Sequence, residues 1–448
     1  MNRSASSTSP NRRLRWGKSA LRLLSFCCLL FISQAARPYS VQTHEQLIDL
    51  LWKSSIRPLL LHRFPTLTPA QLQEAHAYAY GGCAIQDAGY YPLGSAFFSD
   101  LTHYVRTGDF IESLFRNAKT PDELAFAIGA LTHYVADSIG HGKVVNLSVP
   151  IEFPKLAKEY GPVVNYEQNP HAHVRTEFAF DINQLSKRRF APSAYLKHVG
   201  LQVPEPLLTR AIFETYGLDR HQIVGKHHSA VNSYRTSVRT FLPRIAYAES
   251  LLHKKSFPPD TPGSSFNTFK SELAQADFEN GWDQYRKKPG IGTYSLAGLI
   301  FVLPKFGPLS MLSVRGPTSA TEELYVEGLN NTTRLLRETL TSFNTIAKTL
   351  TTTLPNIDLD TGEKVRPGSY RLTDDTYAHL LQTVTRDPSK GIPASLKVDI
   401  LNFYANPSAP IATKKNPTRW AQVQSELQIL ATMPTRAEPP PFFEAQDN

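Results

Sequence analysis

The stretch LTHYV occurs twice in the chain, at Leu101–Val105 and at Leu131–Val135. It is an internal repeat, a coincidence of two core helices, or two histidines brought to one place. The second copy lies in the clearest local signal of the sequence. Thr120 reads as an N-cap, Pro121 takes the first helical position and Glu123 closes a capping box ahead of an apolar run, so a helix begins at Pro121. On it His133 and Asp137 are four positions apart and project from one face. One turn before them, Gly129 and Ala130 leave room for something to approach closely. The first copy continues as RTGD, so the flanks differ, and no longer period recurs to suggest a solenoid.

Around the two copies, histidines and carboxylates are dense: Asp87, His103, His133, Asp137, His141, His171, His173 and Glu177. Imidazole and carboxylate together suit zinc or another first-row ion. A mononuclear site takes three protein ligands and a water, so this set exceeds one ion; some members are bystanders or the centre is multinuclear. A single helical histidine more often packs or faces solvent than binds metal, so the reading rests on the cluster. Weaker signals fall elsewhere. His227–His228 reads as a solvated face, and NIDLDTGE (Asn356–Glu363) lacks the spacing of a calcium loop and reads as a turn. No Gly-x-Ser-x-Gly elbow is present, which disfavours serine-esterase chemistry.

The segment LTHYVADSIGHGKVVN, with His133, Tyr134 and Asp137 followed by His141 and Asn146, resembles the zinc-dependent phospholipase C family. That family includes phosphatidylcholine-hydrolysing bacterial enzymes and the phospholipase domain of glycosylphosphatidylinositol-specific phospholipase D. The resemblance runs from about Gln42 to Asp181. It implies an all-α, multi-helix metal-binding domain and hydrolysis of phosphodiester bonds in phospholipids by a metal-activated water. By order and type, it assigns Asp87, His103, His133 and Asp137 to one zinc and His141, His173 and Glu177 to a second. His171 is an alternative to His173, although only His173 has Glu177 at helical spacing. A third site would share Asp137 and take His44, so two zinc ions are implied and a third is left open. Bacterial members use an N-terminal tryptophan there. This chain has none near a cleavage point, but an amine freed near Ser40 or Val41 could serve. They also place the downstream histidine six residues after the shared aspartate with a proline between, where this chain has four residues and Gly140.

Asp87 is the candidate to orient or deprotonate the attacking water, with pure ligation as the competing role. Tyr90 and Tyr91 could present aromatic faces to a choline-like head group, or simply pack. Two other functions compete. A zinc-dependent single-strand nuclease has a similar helical trinuclear architecture and would show stacking aromatics and basic residues where a lipase has an apolar rim. A non-catalytic, zinc-stabilised lipid- or surface-binding protein is the other.

The remaining organisation follows from composition. Residues 1–40 carry Arg3, Arg12, Arg13, Arg15 and Lys18, the apolar run LRLLSFCCLLFI and then small residues, the order of a signal peptide; an N-terminal anchor is the alternative. Export, to a periplasm or the outside, and association with a membrane surface are therefore expected. Removing the segment takes Cys27 and Cys28 and leaves Cys83 without a disulfide partner. It also takes five of the positives behind the net charge of +9, so no nucleic-acid partner is expected. Residues 41–190 form the zinc-binding core and 191–430 a mainly helical extension of unassigned function. Residues 431–448 read as a disordered tail. Within the core, helices are expected over THEQLIDLLWKSSIRPLLLHRF with a break at Pro58, TPAQLQEAHAYAY, SAFFSDLTHYVRTG, from TPDELAF onward, and HAHVRTEFAFDINQL; the stretch from Pro150 to Pro170 is expected to be loop. Beyond it, EPLLTRAIFETYG, AVNSYRTSVRTFLPRIAYAESLL and the long run from Ala320 to Leu354 read as helices, and Ser295–Leu303 is the best strand candidate.

Overall fold

The computed structural model describes residues 41–91, 93–219, 233–236, 257–260, 262–286, 316–344, 349–350 and 353–437, together with Val238, Tyr247, Ser250, Leu252 and Gly298. The N-terminal basic and apolar segment, His227–His228, the strand candidate at Ser295–Leu303 except Gly298, most of the helix expected from Ala230 and residues 438–448 of the tail lie outside them.

The described chain is all-α. Helices α1 (Val41–Leu51), α2 (Arg57–Arg63), α3 (Pro69–Gly82), α4 (Ala96–Tyr104), α5 (Thr107–Asn117), α6 (Pro121–Gly140), α7 (Asn146–Glu152), α8 (Pro154–Tyr160), α9 (Pro170–Ser186), α10 (Ser193–Val199) and α11 (Glu205–Tyr216) build the N-terminal half. Helices α12 (Ser264–Asn280), α13 (Ser319–Thr341), α14 (Arg371–Thr385), α15 (Ala394–Phe403) and α16 (Pro417–Thr432) follow. Two minimal antiparallel pairs interrupt them, β1 (Phe343–Asn344) with β2 (Thr349–Leu350) and β3 (Ile357–Asp358) with β4 (Glu363–Lys364).

Helix α6 is the axis. Every residue from Leu124 to Asp137 is buried, as befits a helix covered on all sides, and α1, α3, α5 and α13 pack around it. Its start obeys the expected chemistry: the Thr120 hydroxyl accepts the Glu123 N–H while Glu123 accepts the Thr120 N–H. Helix α3 opens the same way, with Thr68, Pro69 and Gln71. The two helices cross at glycines. A Cβ on Gly129 would stand 2.2 Å from the Ala79 carbonyl oxygen, and one on Gly82 would stand 2.1 Å from that of Phe126, so only hydrogen atoms fit there.

Four expectations change. The helix expected over SAFFSDLTHYVRTG stops at Tyr104, because Arg106 turns left-handed at φ 49°, and a new helix, α5, starts at Thr107. Its cap comes from far away: the Asn356 side-chain oxygen accepts the N–H groups of Gly108 and Asp109. Between Pro150 and Pro170 the chain is largely helical up to Tyr160. Pro150 is tolerated inside α7 because the Asn146 carbonyl, which its missing N–H would have served, accepts from Val164 instead, at 2.9 Å. The long C-terminal helix ends at Thr341, and the threonine-rich stretch beyond it contributes β2, where β-branching favours extended backbone. Pro58 behaves differently from a breaker, sitting in the first turn of α2 after a π-helical turn at Trp52–Ile56.

The C-terminal half is packed onto the core. Helix α14 lies on α4, with the rings of Phe97 and His379 stacked 3.8 Å apart. No helix among the described residues is long and apolar enough to cross a membrane.

Candidate metal centre

Helices α1, α4, α6 and α9, the 3-10 turn Ile85–Tyr90 and a π-helical turn at His141–Val145 converge on one buried cluster. Asp87, His103, His133 and Asp137 meet first. The Nε2 atoms of His103 and His133 are 3.5 Å apart; Asp137 Oδ2 lies 3.0 Å from His133 Nε2 and 3.5 Å from His103 Nε2, and Asp87 Oδ1 lies 3.5 Å from His103 Nε2. Tetrahedral zinc with bonds near 2.0–2.1 Å sets its ligand atoms about 3.3 Å apart. These four spacings lie near that value, and Asp87 Oδ1 stands 4.0 Å from His133 Nε2.

The other oxygen of Asp137, Oδ1, lies 3.3 Å from Nε2 of His44, whose ring stacks on His133 at 4.3 Å. Asp137 thus faces two groups of ligands. On the far side Glu177 Oε1 lies 3.0 Å from His141 Nε2 and 3.1 Å from His173 Nε2. Three sets of buried donor atoms therefore stand close enough to hold an ion each: His44, His133 and Asp137; Asp87, His103 and His133; His141, His173 and Glu177. His133 belongs to two sets and serves one ion at a time. His171, two residues before His173, is exposed on α9.

Second contacts fix the ring tautomers. Nδ1 of His103 donates to the Ser99 carbonyl at 2.7 Å, that of His133 to Cys83 at 3.0 Å and that of His141 to Leu359 at 2.8 Å. Each ring therefore turns its Nε2 to the cluster, the orientation of a metal-binding imidazole. The carboxylate side agrees: neither oxygen of Asp137, Glu177 Oε2 nor His173 Nε2 takes part in a well-formed hydrogen bond, although all are buried. Buried polar atoms left this way are costly unless another group satisfies them. These residues fit zinc.

The ionisation pattern has the same origin. Burial penalises the Asp137 carboxylate, but the imidazoles of His133, His141 and His103 outweigh it and hold it well below the usual range. Burial lowers His103, yet the Asp137 and Asp87 carboxylates push it up to about 9. Glu177 is raised by burial to about 8, and His173 is pulled down by burial to about 4.

Residues 43–222 match the model of the zinc dependent phospholipase C family. This segment belongs to that family. No curated protein and no solved structure matches the chain. A zinc phospholipase C-like domain thus occupies the N-terminal half, and its metal-binding candidates are the buried groups just described.

In this phospholipase C-like domain the four-residue step from Asp137 to His141 is carried by the continuous helix, which widens into the π turn at His141. Tyr90 is buried with its ring 5.6 Å from that of His103 and its hydroxyl donating to Asp100. Tyr91 turns into the core beside Tyr234. Cys83 is buried and its thiol pushed well up by burial, so its contribution is its carbonyl, held on His133. The sequence reading missed the Leu359 carbonyl and the neighbouring Asp360, both from the NIDLDTGE turn. A backbone acceptor has no residue type to find, and the carboxylate is far from the cluster in sequence.

Proposed function

We propose that the protein is an exported zinc metallohydrolase that cleaves phosphodiester bonds of phospholipids at a membrane surface. The observation that carries this is the convergence of eight buried side chains, His44, Asp87, His103, His133, Asp137, His141, His173 and Glu177, in three groups of zinc-like spacing. Zinc bound there would activate water and offset the charge of a phosphoryl group.

The chain's own residues supply the rest. Asp137 faces both His44 and the His103–His133 pair, which keeps two ligand groups at a set separation. Asp87 lies 3.5 Å from His103 Nε2 and 4.0 Å from His133 Nε2, where a carboxylate can ligate and orient water or accept its proton. Tyr90 offers its ring beside His103, where a cationic head group would meet an aromatic face.

Exposed aliphatic side chains support a lipid substrate over a nucleic acid. Leu93, 66% exposed and held at φ 70°, lies three residues beyond Tyr90. Val163, 47% exposed, lies three before Tyr166, whose ring meets that of His173 edge-on. Each is three positions in sequence from a tyrosine whose ring meets a cluster histidine. Export rests on the basic and apolar N-terminal segment alone.

The test is metal analysis of the purified protein with a phosphodiester-lipid assay, for wild type and Asp137→Asn. Stoichiometric zinc with lipid hydrolysis, both lost in the variant, is expected. Wild type without zinc, or a variant with full zinc and activity, would end the reading.

A further inference from the structure

The hairpin β3–β4 reaches the cluster from well beyond residue 222, where the family match ends. Leu359 spans both ligand groups through its backbone. Its N–H donates to the His103 carbonyl at 3.0 Å and its carbonyl accepts from Nδ1 of His141 at 2.8 Å. Asp360 follows. Its Oδ2 accepts from the Tyr104 hydroxyl at 2.9 Å and the Tyr370 hydroxyl at 2.7 Å, and its backbone carbonyl accepts from Asn146 at 2.8 Å. Its Oδ1 lies 3.7 Å from His141 Nδ1, beyond hydrogen-bond reach but close enough for its charge to act on the ring.

The approach is built in on both sides. A Cβ on Gly362, at φ 73°, would stand 2.3 Å from the Ser138 carbonyl oxygen, and one on Gly142 would stand 2.6 Å from that of Thr361. Asp358 holds the turn by accepting the N–H groups of Asp360 and Thr361. The contact of turn and π helix is therefore close and specific.

We propose that Asp360 is a positioning residue of the zinc centre, acting through His141. The Leu359 carbonyl keeps the proton on Nδ1, so Nε2 points at the Glu177 and His173 side. The Asp360 carboxylate, pinned by two tyrosines, sets a negative charge behind the ring and makes Nε2 a stronger donor. Partners hydrogen-bonded to a ligating histidine commonly carry about 10–100-fold in metal affinity, and a charge 3.7 Å from the ring acts in the same direction by less. The proposal rests on the zinc reading above.

Asp360→Asn keeps an oxygen for the tyrosines and removes the charge; Tyr370→Phe keeps the charge and loosens it. Zinc affinity is measured by competition with a chromophoric chelator, the cobalt-substituted absorption spectrum reports the ligand field, and thermal unfolding in EDTA reports the fold. Asp360→Asn is expected to unfold in EDTA within a few degrees of wild type, to bind one zinc up to about 10-fold more weakly and to alter the cobalt spectrum. Tyr370→Phe is expected to shift affinity in the same direction by less, and carries the test should Asp360→Asn fail to fold. Zinc affinity and cobalt spectrum equal to wild type in the folded variants overturn the proposal and leave the zinc reading intact. A wild type that binds no zinc overturns both.

Discussion

His103 and His133, thirty positions apart, bring their Nε2 atoms to 3.5 Å with the rings nearly perpendicular at 87°. Two neutral imidazoles cannot both donate there, since each Nδ1 already gives its proton to a backbone carbonyl. An ion bound between them would satisfy both Nε2 atoms, with Asp137 as counter-charge.

Replacing that counter-charge therefore should be costly. Asp137→Asn is expected to weaken zinc binding by more than about 100-fold at the groups it faces, beyond the 10–100-fold typical of an outer partner. Titration of the purified protein with zinc checks this, alongside circular dichroism to show that α6 persists.

The crossing of α3 and α6 makes a second prediction. Gly129→Ala gains about 1 kcal/mol of helix propensity. Its Cβ, however, would meet the Ala79 oxygen at 2.2 Å and the Cys83 nitrogen at 2.8 Å, both backbone. Overpacking of this kind costs about 1–3 kcal/mol, so the collision wins. Gly82→Ala acts on the same crossing, and the double variant should cost less than the sum of the two, because separating the helices once relieves both. Urea unfolding of the four proteins decides it, and zinc affinity should fall in parallel as the Cys83 carbonyl leaves His133.

Stability should respond to pH with opposite slopes in the two metal states. His103 rises to about 9, while Glu177 and Asp358 rise by burial to about 8. Folded values above unfolded ones mean that these groups stabilise the chelator-treated protein at low pH. For His103 that stability is complete below about 6.5 and lost through about 9; for the two carboxylates it is complete below about 4 and lost through about 8. Zinc needs the deprotonated ligands, so the loaded protein should gain stability over the same rise and release protons on binding. Thermal scans between pH 6 and 9, with EDTA or with zinc, test the crossing of the two trends.

Asn356→Ala should loosen α5 from a distance. It removes the acceptor of the Gly108 and Asp109 N–H groups, at a cost of about 1 kcal/mol for a lost cap. Faster hydrogen exchange at those two amides, without a change at Glu123 in the independently capped α6, is the expected result.

Much of this protein was legible from local chemistry. The Thr120–Pro121–Glu123 start of α6, the like start of α3 and the four-residue spacings of His133 with Asp137 and His173 with Glu177 depend on contacts within about one helical turn, which sequence records directly. The resemblance placed all eight cluster residues in order. What only the tertiary structure decided is how that cluster is held. The start of α5 depends on Asn356, Pro150 survives in its helix through Val164, and the ring of His141 is set by Leu359, 218 positions away. Such contacts run through backbone carbonyls and amides that every residue possesses, so no pattern of residue types announces them. Packing alone brings them within hydrogen-bond reach.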